Sequence, residues 1–307
     1  MEYPDINDIR RLIESECEKN PSANPDEASI QYYISRYKVG LQYYIDRIDN
    51  LLFSGNKVLD AGCGSGAWAI ALTQRYNEVV GRDMNNKGLR VFRTVSKIMN
   101  INNIQIDDGS LEQLPYTDCS FDDIFCYSVI MLCNVSQVLN EFFRVLKPGG
   151  RVYLCLNDEG YYHYLINERG KNDKVQEQYG RKVLYNTFWK RYLELSNKHT
   201  ADSEAKEDLH SLVEEHCGYD WVKIFDKDYQ SYLEGKPLSI TNYNTRSYSF
   251  LEIEKIVKKI GFVDYQSALE GSLILNQQGV PLTPLYHGYH KGIVTVWECV
   301  FTKPAQN

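Results

Sequence analysis

Residues 56–70 read Asn-Lys-Val-Leu-Asp-Ala-Gly-Cys-Gly-Ser-Gly-Ala-Trp-Ala-Ile. An aliphatic run closes on an acid, three glycines follow at every second position, and small apolar residues resume at helical spacing. That order predicts a buried strand, a bare turn and a helix start. Gly62, Gly64 and Gly66 permit a sharp bend and remove every Cβ that would hold a ligand away from the main-chain N–H groups. A dinucleotide-binding turn usually runs Gly-x-Gly-x-x-Gly, because its pyrophosphate rests on the helix N-terminus. Here the third glycine comes one residue early and Asp60 closes the strand. A carboxylate at that point repels a pyrophosphate and suits a cation, while a plain tight turn is the bland alternative.

Fixed distances downstream sharpen the reading. A helix is expected over 67–75 and a second strand over 78–83, ending in Asp83, 23 residues beyond Asp60. That is close to the spacing at which an acid reaches ribose hydroxyls in nucleotide-binding α/β units. A carboxylate can accept from both hydroxyls of a vicinal diol. Then follow a helix over 86–99, a strand over 103–108, the segment Gly109-Ser110-Leu111-Glu112-Gln113-Leu114-Pro115-Tyr116 and a fourth strand over 123–128. A helix over 137–146 with Ser136 as its cap is stopped by Lys147-Pro148-Gly149-Gly150 before a fifth strand, 151–156.

Asp60 with its three glycines, the 109–116 segment before Ser120-Phe121-Asp122, and the run Phe142 to Arg151 together resemble the class I S-adenosylmethionine (SAM) methyltransferases. Within them the similarity is to the type 11, ubiquinone-biosynthesis-like family. It covers roughly residues 56–156, and 245–302 through topology alone. The resemblance implies an α/β fold: a seven-stranded Rossmann-like sheet, mostly parallel, whose last strand is antiparallel. It implies SAM as cofactor, bound by Asp60, Gly62, Gly64, Gly66, Asp83, Met84, Gly109, Ser110, Leu111 and Tyr127. Ser110 stands where the family more often has Asp, and a hydroxyl bonds an adenine amino group more weakly, so Asp108 is an alternative. Arg82 replaces a small or apolar residue, which predicts a less buried strand end. The fourth strand's exit, Phe125 to Ser128, would lie under the sulfonium. The Asn-Pro-Pro-Tyr tetrad of enzymes methylating adenine or glutamine is absent, which argues against nucleic-acid bases and release factors as substrates.

Outside the central stretch, Asn20 to Pro25 breaks the chain and one helix is expected from Asp26 to about Leu52, with Leu41, Tyr44, Ile45, Ile48, Leu51 and Leu52 on its apolar face. Tyr32, Tyr33, Arg36 and Tyr37 lead it, and in related methyltransferases such a helix closes over the cofactor. Residues 157–245 are too long for a bare loop and carry aromatic clusters, so they read as a helical cap inserted after strand 5. Ser249 and Glu252 form a capping box for a helix ending at Gly261, before closing strands 262–269 and 293–302. The domain boundaries expected are 1–52, 53–156, 157–245 and 246–307.

A net charge of −7 and a pI near 5.5 disfavour nucleic acid as partner. The longest uncharged runs, 125–140 and 271–290, carry Asn, Gln, Pro or Gly, so no membrane helix is expected. The N-terminal residues lack the pattern of a secretory signal, and the eight cysteines contain no Cys-x-x-Cys pair, which together predict reduced thiols and a cytoplasmic setting. Radical SAM chemistry, with its closely spaced cysteine triplet, is excluded on the same count.

Methyl transfer from a sulfonium needs alignment and exclusion of water, and a base where the acceptor is a hydroxyl or protonated amine. All six histidines lie beyond residue 160; His163, just after strand 5, is the candidate catalytic base, with His287 and His290 behind it. Tyr161, Tyr162 and His287 are candidates for the substrate pocket. His210, His216 and Cys217 fit no standard zinc spacing, and no metal is expected. The function expected is methyl transfer from SAM to O or N of a small-molecule acceptor; methylation of protein or RNA, or a non-catalytic SAM-binding protein of the same fold, are the alternatives.

Overall fold

A computed structural model describes residues 2–19, 32–195, 203–238, 245–285 and 289–305. Strands β1 (Gly55–Ala61), β2 (Tyr76–Asp83), β3 (Ile104–Asp108), β4 (Phe121–Tyr127), β5 (Leu146–Asn157), β6 (Val263–Leu269) and β9 (Val296–Thr302) form one sheet, in the order β3-β2-β1-β4-β5-β9-β6. The first five are parallel, and β9 runs antiparallel between β5 and β6. Successive side chains on each strand enter opposite layers. Val58, Phe125 and Tyr153 face the helices Leu41–Asn50, Ala67–Leu72 and Asn86–Ile98. Leu59, Ile124 and Leu154 face Val135–Val145 and Phe250–Ile260. Burial on both sides is why these strands read as aliphatic runs rather than as alternating patterns.

Several boundaries differ from the sequence reading, each for a local reason. The long second helix does not run through to Leu52: residues 32–35 are helical, Arg36–Val39 tighten into a 3-10 turn, and Gly40 at φ +88° breaks the axis before Leu41–Asn50. The stretch Asp26 to Gln31 lies outside the described residues. The helix before β5 is capped by Asn134, whose side chain accepts from Gln137 N, rather than by Ser136. The expected capping box of Ser249 and Glu252 is present, and Gly261 ends that helix in the left-handed conformation. The strand expected over 293–302 is split. Ile293–Val294 (β8) turns aside to pair with Tyr289–His290 (β7), and the carbonyls of Ile293 and Val294 lie against Gly160, where a Cβ would come within 2.5 Å of either.

Between β5 and Phe250–Ile260 the chain forms the helices Glu159–Asn167, Lys174–Leu195, Ser203–Cys217 and Tyr219–Leu233, which enclose their own core around Tyr162, Trp189 and Phe225. This cap is fastened to the sheet where Ser247 N donates to Thr187 Oγ1 (2.9 Å) and Ser247 Oγ to Asp158 Oδ1 (3.0 Å). Among the described residues no helix is long and apolar enough to cross a membrane.

One feature of the sheet is ionic. Arg47, on the buried face of Leu41–Asn50, is 2% exposed and lies 3.5 Å from Glu270 and in direct contact with Glu298. Its Nη2 also donates to Tyr153 Oη (2.8 Å), which donates onward to Glu298 Oε2 (2.8 Å). Apolar periodicity gives no hint of such a charge. Removing the cation leaves two carboxylates facing each other out of water, so Arg47→Met is expected to lose about 3–5 kcal/mol of stability. In urea unfolding that deficit is expected to shrink as the pH falls into the carboxylate range, where a proton replaces the missing guanidinium; a pH-independent deficit would refute the assignment.

Candidate functional site

At the carboxyl ends of β1, β2 and β4 lies a cavity of about 800 Å³. Its floor is the loop 62–65, one wall is Asp83 to Lys87, another is Gly109 and Leu111, and a third is Tyr127 to Val129. Tyr32, Tyr33, Arg36 and Tyr44 roof it. Hydroxyls latch the N-terminal segment onto the glycine loop: Tyr37 donates to Ser65 O, and Tyr3 to Ala67 O at 2.6 Å. Ser65 Oγ in turn donates to Tyr33 O (3.2 Å). Tyr37 itself is buried and lines no wall, so it acts as a fastener for the roof.

The three glycines do not share one task. Gly62, at φ +82°, has Val129 where its Cβ would go, at 2.5 Å, and Gly66, at φ +85°, has the Phe92 ring at 2.0 Å. Both are packing positions. Gly64, at φ +53°, has nothing within 4 Å of its Cβ position and is the bare backbone of the cavity floor. Gly109 is also a wall residue, and a Cβ there would meet Arg82 Nη2 at 2.2 Å. Arg82 is buried, contrary to the expectation of a more open strand end, because its guanidinium reaches across β3 to Ser110 O (3.0 Å) and Asp108 O (3.3 Å).

Two carboxylates meet behind this floor. Asp83 accepts from Gly64 N (2.9 Å) through one oxygen and from Asn85 N (2.7 Å) through the other, with the Met84 N–H also bonded to the carboxylate. Burial raises its pKa. Asp60 is 1% exposed and sits beneath the loop rather than on the cavity wall. Burial, helped by the charge of Asp83 and opposed by the Ala69 N–H, pushes it up to about 8, and its Oδ2 has no hydrogen-bond partner. Met84 and Leu111 line the cavity as expected of them. Ser110 does not: its Oγ accepts from Glu112 N (3.1 Å), and the exposed Asp108 also stands away from the walls, leaving Gly109 and Leu111 to make that side.

A second cavity of about 490 Å³ shares Tyr32, Arg36 and Leu285 with the first and is completed by Tyr161, Tyr164, Arg169, Thr283, Pro284 and other residues. Tyr161 thus lines a cavity beside the first. Tyr162 does not, being fully buried in the cap core, and neither does His163, the expected base. Positions three apart share a helix face, so Tyr161 and Tyr164 look into the second cavity while the residues between them turn away. His163 lines instead a third cavity of about 340 Å³ with His216, His290 and Lys291. Burial and those neighbouring positive charges push its pKa down to about 4. His287 lies outside the described residues. Sequence reasoning missed Trp68, Leu285 and Arg169 as lining residues. For Leu285 and Arg169 no local pattern signals a role, since long-range packing alone brings them in. Among the described residues no group of three or more His, Cys, Asp or Glu is placed to hold a metal ion.

Residues 59–154 match a family described as a methyltransferase domain. Over 102 residues the chain is 33% identical to a demethylmenaquinone methyltransferase of Listeria welshimeri, covering 32% of this chain and 43% of that one. It is 33% identical over 100 residues to an uncharacterized methyltransferase of Bacillus subtilis, covering 32% and 40%. The chain thus spans under half the length of these curated relatives. A solved Thermotoga maritima structure, described as a SAM-dependent methyltransferase and possible histamine N-methyltransferase, aligns at 16% identity over 86% of this chain and 89% of that one, with a TM-score of 0.44.

Gly66→Ala is expected to destabilise by about 2–4 kcal/mol, combining left-handed strain with overpacking, and Gly64→Ala by about 1 kcal/mol from strain alone; urea midpoints check the order. For Asp60 the folded pKa lies above the unfolded value, so the folded state binds the extra proton and loses stability as pH rises from about 4 to about 8. Asp60→Asn keeps an acceptor for Ala69 N–H and is expected to grow steadily more stable than the parent across that window, as thermal melts at pH 5 and pH 8 will show.

Proposed function

We infer that this chain, whose residues 59–154 belong to the class I methyltransferases, moves a methyl group from S-adenosylmethionine to a small-molecule acceptor. The observation that carries the reading is the bare backbone at Gly64, open on its ligand side and held from behind by Asp83. The residues suit the cofactor. A cavity of about 800 Å³ falls in the range of small-molecule and cofactor sites. The Asp83 carboxylate lines the cavity as an acceptor for hydroxyls, and Met84 and Leu111 offer apolar surface to a base.

When bound, S-adenosylmethionine supplies a methyl group already activated by its sulfonium. The protein's work is then positional. The Gly64 N–H fixes the Asp83 carboxylate, and the tyrosine roof, fastened through Tyr37 and Tyr3, keeps water from the floor. The second cavity is the acceptor chamber in this reading. Tyr161, Tyr164 and Pro284 present flat apolar surface, and Arg169, for which no ion pair occurs among the described residues, can face an anionic or polar substituent. No histidine lines either cavity among the described residues, which do not include His287. The small-molecule assignment draws support from the net charge of −7 and from relatives named for a small-molecule acceptor.

Calorimetry with S-adenosylmethionine and S-adenosylhomocysteine tests the cofactor: both are expected to bind the parent, and Asp83→Ala to weaken both at least about tenfold through loss of a charge-assisted pair. Equal binding by that variant would remove the reading. Arg169→Ala is expected to leave cofactor binding intact while changing which acceptors are turned over in a small-molecule screen, with rates insensitive to salt.

A further inference from the structure

Thr295, between β8 and β9, lines the second cavity and is 2% exposed, yet its Oγ1 has no hydrogen-bond partner. A hydroxyl taken out of water and left unbonded costs free energy, and most buried polar side chains avoid that state. The backbone at this position is satisfied, its carbonyl accepting from Asp158 N (2.8 Å). Only the hydroxyl is left over, as a donor for whatever enters the cavity.

The fixed charge around that donor has one sign. Arg36 and Arg169 line the cavity, and among the described residues no acid does. A guanidinium stays charged at any working pH. Arg36 stands where the two cavities join, donating to Tyr32 Oη (3.0 Å) and lying 5.1 Å from the centre of that ring. Arg169 lines the second cavity but not the first, and it takes part in no ion pair among the described residues. The acids on neighbouring elements are answered elsewhere: Glu168 by Lys171 (2.8 Å), Glu159 by Arg191, and Glu270, which accepts from Leu285 N, by Arg47 (3.5 Å). Asp158 spends Oδ1 on Ser247 Oγ (3.0 Å) and Glu159 N (2.8 Å).

We propose that the second cavity is a carboxylate site, and that the acceptor is a small organic acid whose oxygens accept from the Arg169 guanidinium and the Thr295 hydroxyl. This rests on the reading of that cavity as the acceptor chamber and narrows the acceptor to an anion. Arg36 is shared with the cofactor cavity, so the second cavity has one cation of its own and matches a single negative charge. A carboxylate meets that condition and fits the planar fork of an arginine, while Tyr161, Tyr164 and Leu285 receive its ring or chain.

Ligand-observed NMR on the full chain tests this, with benzoate, phenylacetate and hexanoate each set against its neutral primary amide, and phenyl phosphate as the dianionic control. Every measurement is made with and without S-adenosylhomocysteine. At least one acid is expected to bind about tenfold or more tightly than its amide, the size of a hydrogen bond to a charged group, and no more weakly than phenyl phosphate. Arg169→Gln, at an exposed position, is expected to bring that acid down to the level of its amide while S-adenosylhomocysteine binding stays within about twofold. Thr295→Val is expected to weaken the acid about threefold and to raise the Tm of the free protein, because the unbonded hydroxyl is gone; a purely structural role for Thr295 would lower the Tm and leave the acid unaffected. Acids bound no better than their amides, a preference that survives Arg169→Gln, or phenyl phosphate bound about tenfold more tightly than every acid overturns the proposal. If S-adenosylhomocysteine does not bind while the acid preference persists, the cofactor reading falls and the carboxylate site stands.

Discussion

The Asp83 carboxylate accepting from Gly64 N is the contact on which the site depends. It joins the tip of β2 to the loop that leaves β1, so two neighbouring parallel strands end in one rigid floor. Gly62 and Gly66 belong to the same construction, because Val129 and Phe92 occupy the space their side chains would need. With those two points packed, the chain between them has no freedom to sag into the cavity. Gly64 stays bare, and Asp60 stays trapped underneath with one oxygen unpartnered. Stability is given up locally at this acid, whose burial pushes its pKa up to about 8 and leaves it largely protonated at neutral pH.

What the sequence made legible follows the range of the forces involved. Turn chemistry, capping and strand patterning act over a few residues, and so β1, β2, the glycine loop and the capping box at Ser249 could be read directly. Asp83 was legible because nucleotide-binding α/β units hold its spacing. His163 and Tyr162 lie off both cavities, because proximity in sequence to a strand exit is not proximity in space. The helix Glu159–Asn167 turns by about 100° per residue, and only Tyr161 and Tyr164 remain on the cavity side. Ser110 stands off the cavity because its hydroxyl is spent on its own turn, and Arg82 is buried, against expectation, because its donors meet the carbonyls of Asp108 and Ser110. Arg169, Glu270 and Leu285 could not have been found, since their neighbours lie far away along the chain.

The two cavities draw on different parts of the architecture. The first has most of its floor and walls within residues 59–154, the portion that matches a methyltransferase domain, and its roof in the N-terminal segment. The second needs the helical cap and the segment between β6 and β7, which folds back so that Tyr43 Oη donates to Thr283 O (2.6 Å) and Leu275 N to Asn50 O (2.8 Å). Changes in the cap can therefore alter what enters the second cavity while the floor beneath the first is left undisturbed.

Arg47 and Glu298 stand 251 positions apart, yet they share one buried contact. During synthesis the arginine leaves the ribosome long before either glutamate exists, and the early helix must wait, its charged side chain still hydrated, while the cap and the final strand are made. The ionic contact of Leu41–Asn50 is completed only once Glu298 has been made, a closure of very high contact order. The roof over the first cavity is carried by that same N-terminal segment, so its full anchorage draws on a strand made at the far end of the chain.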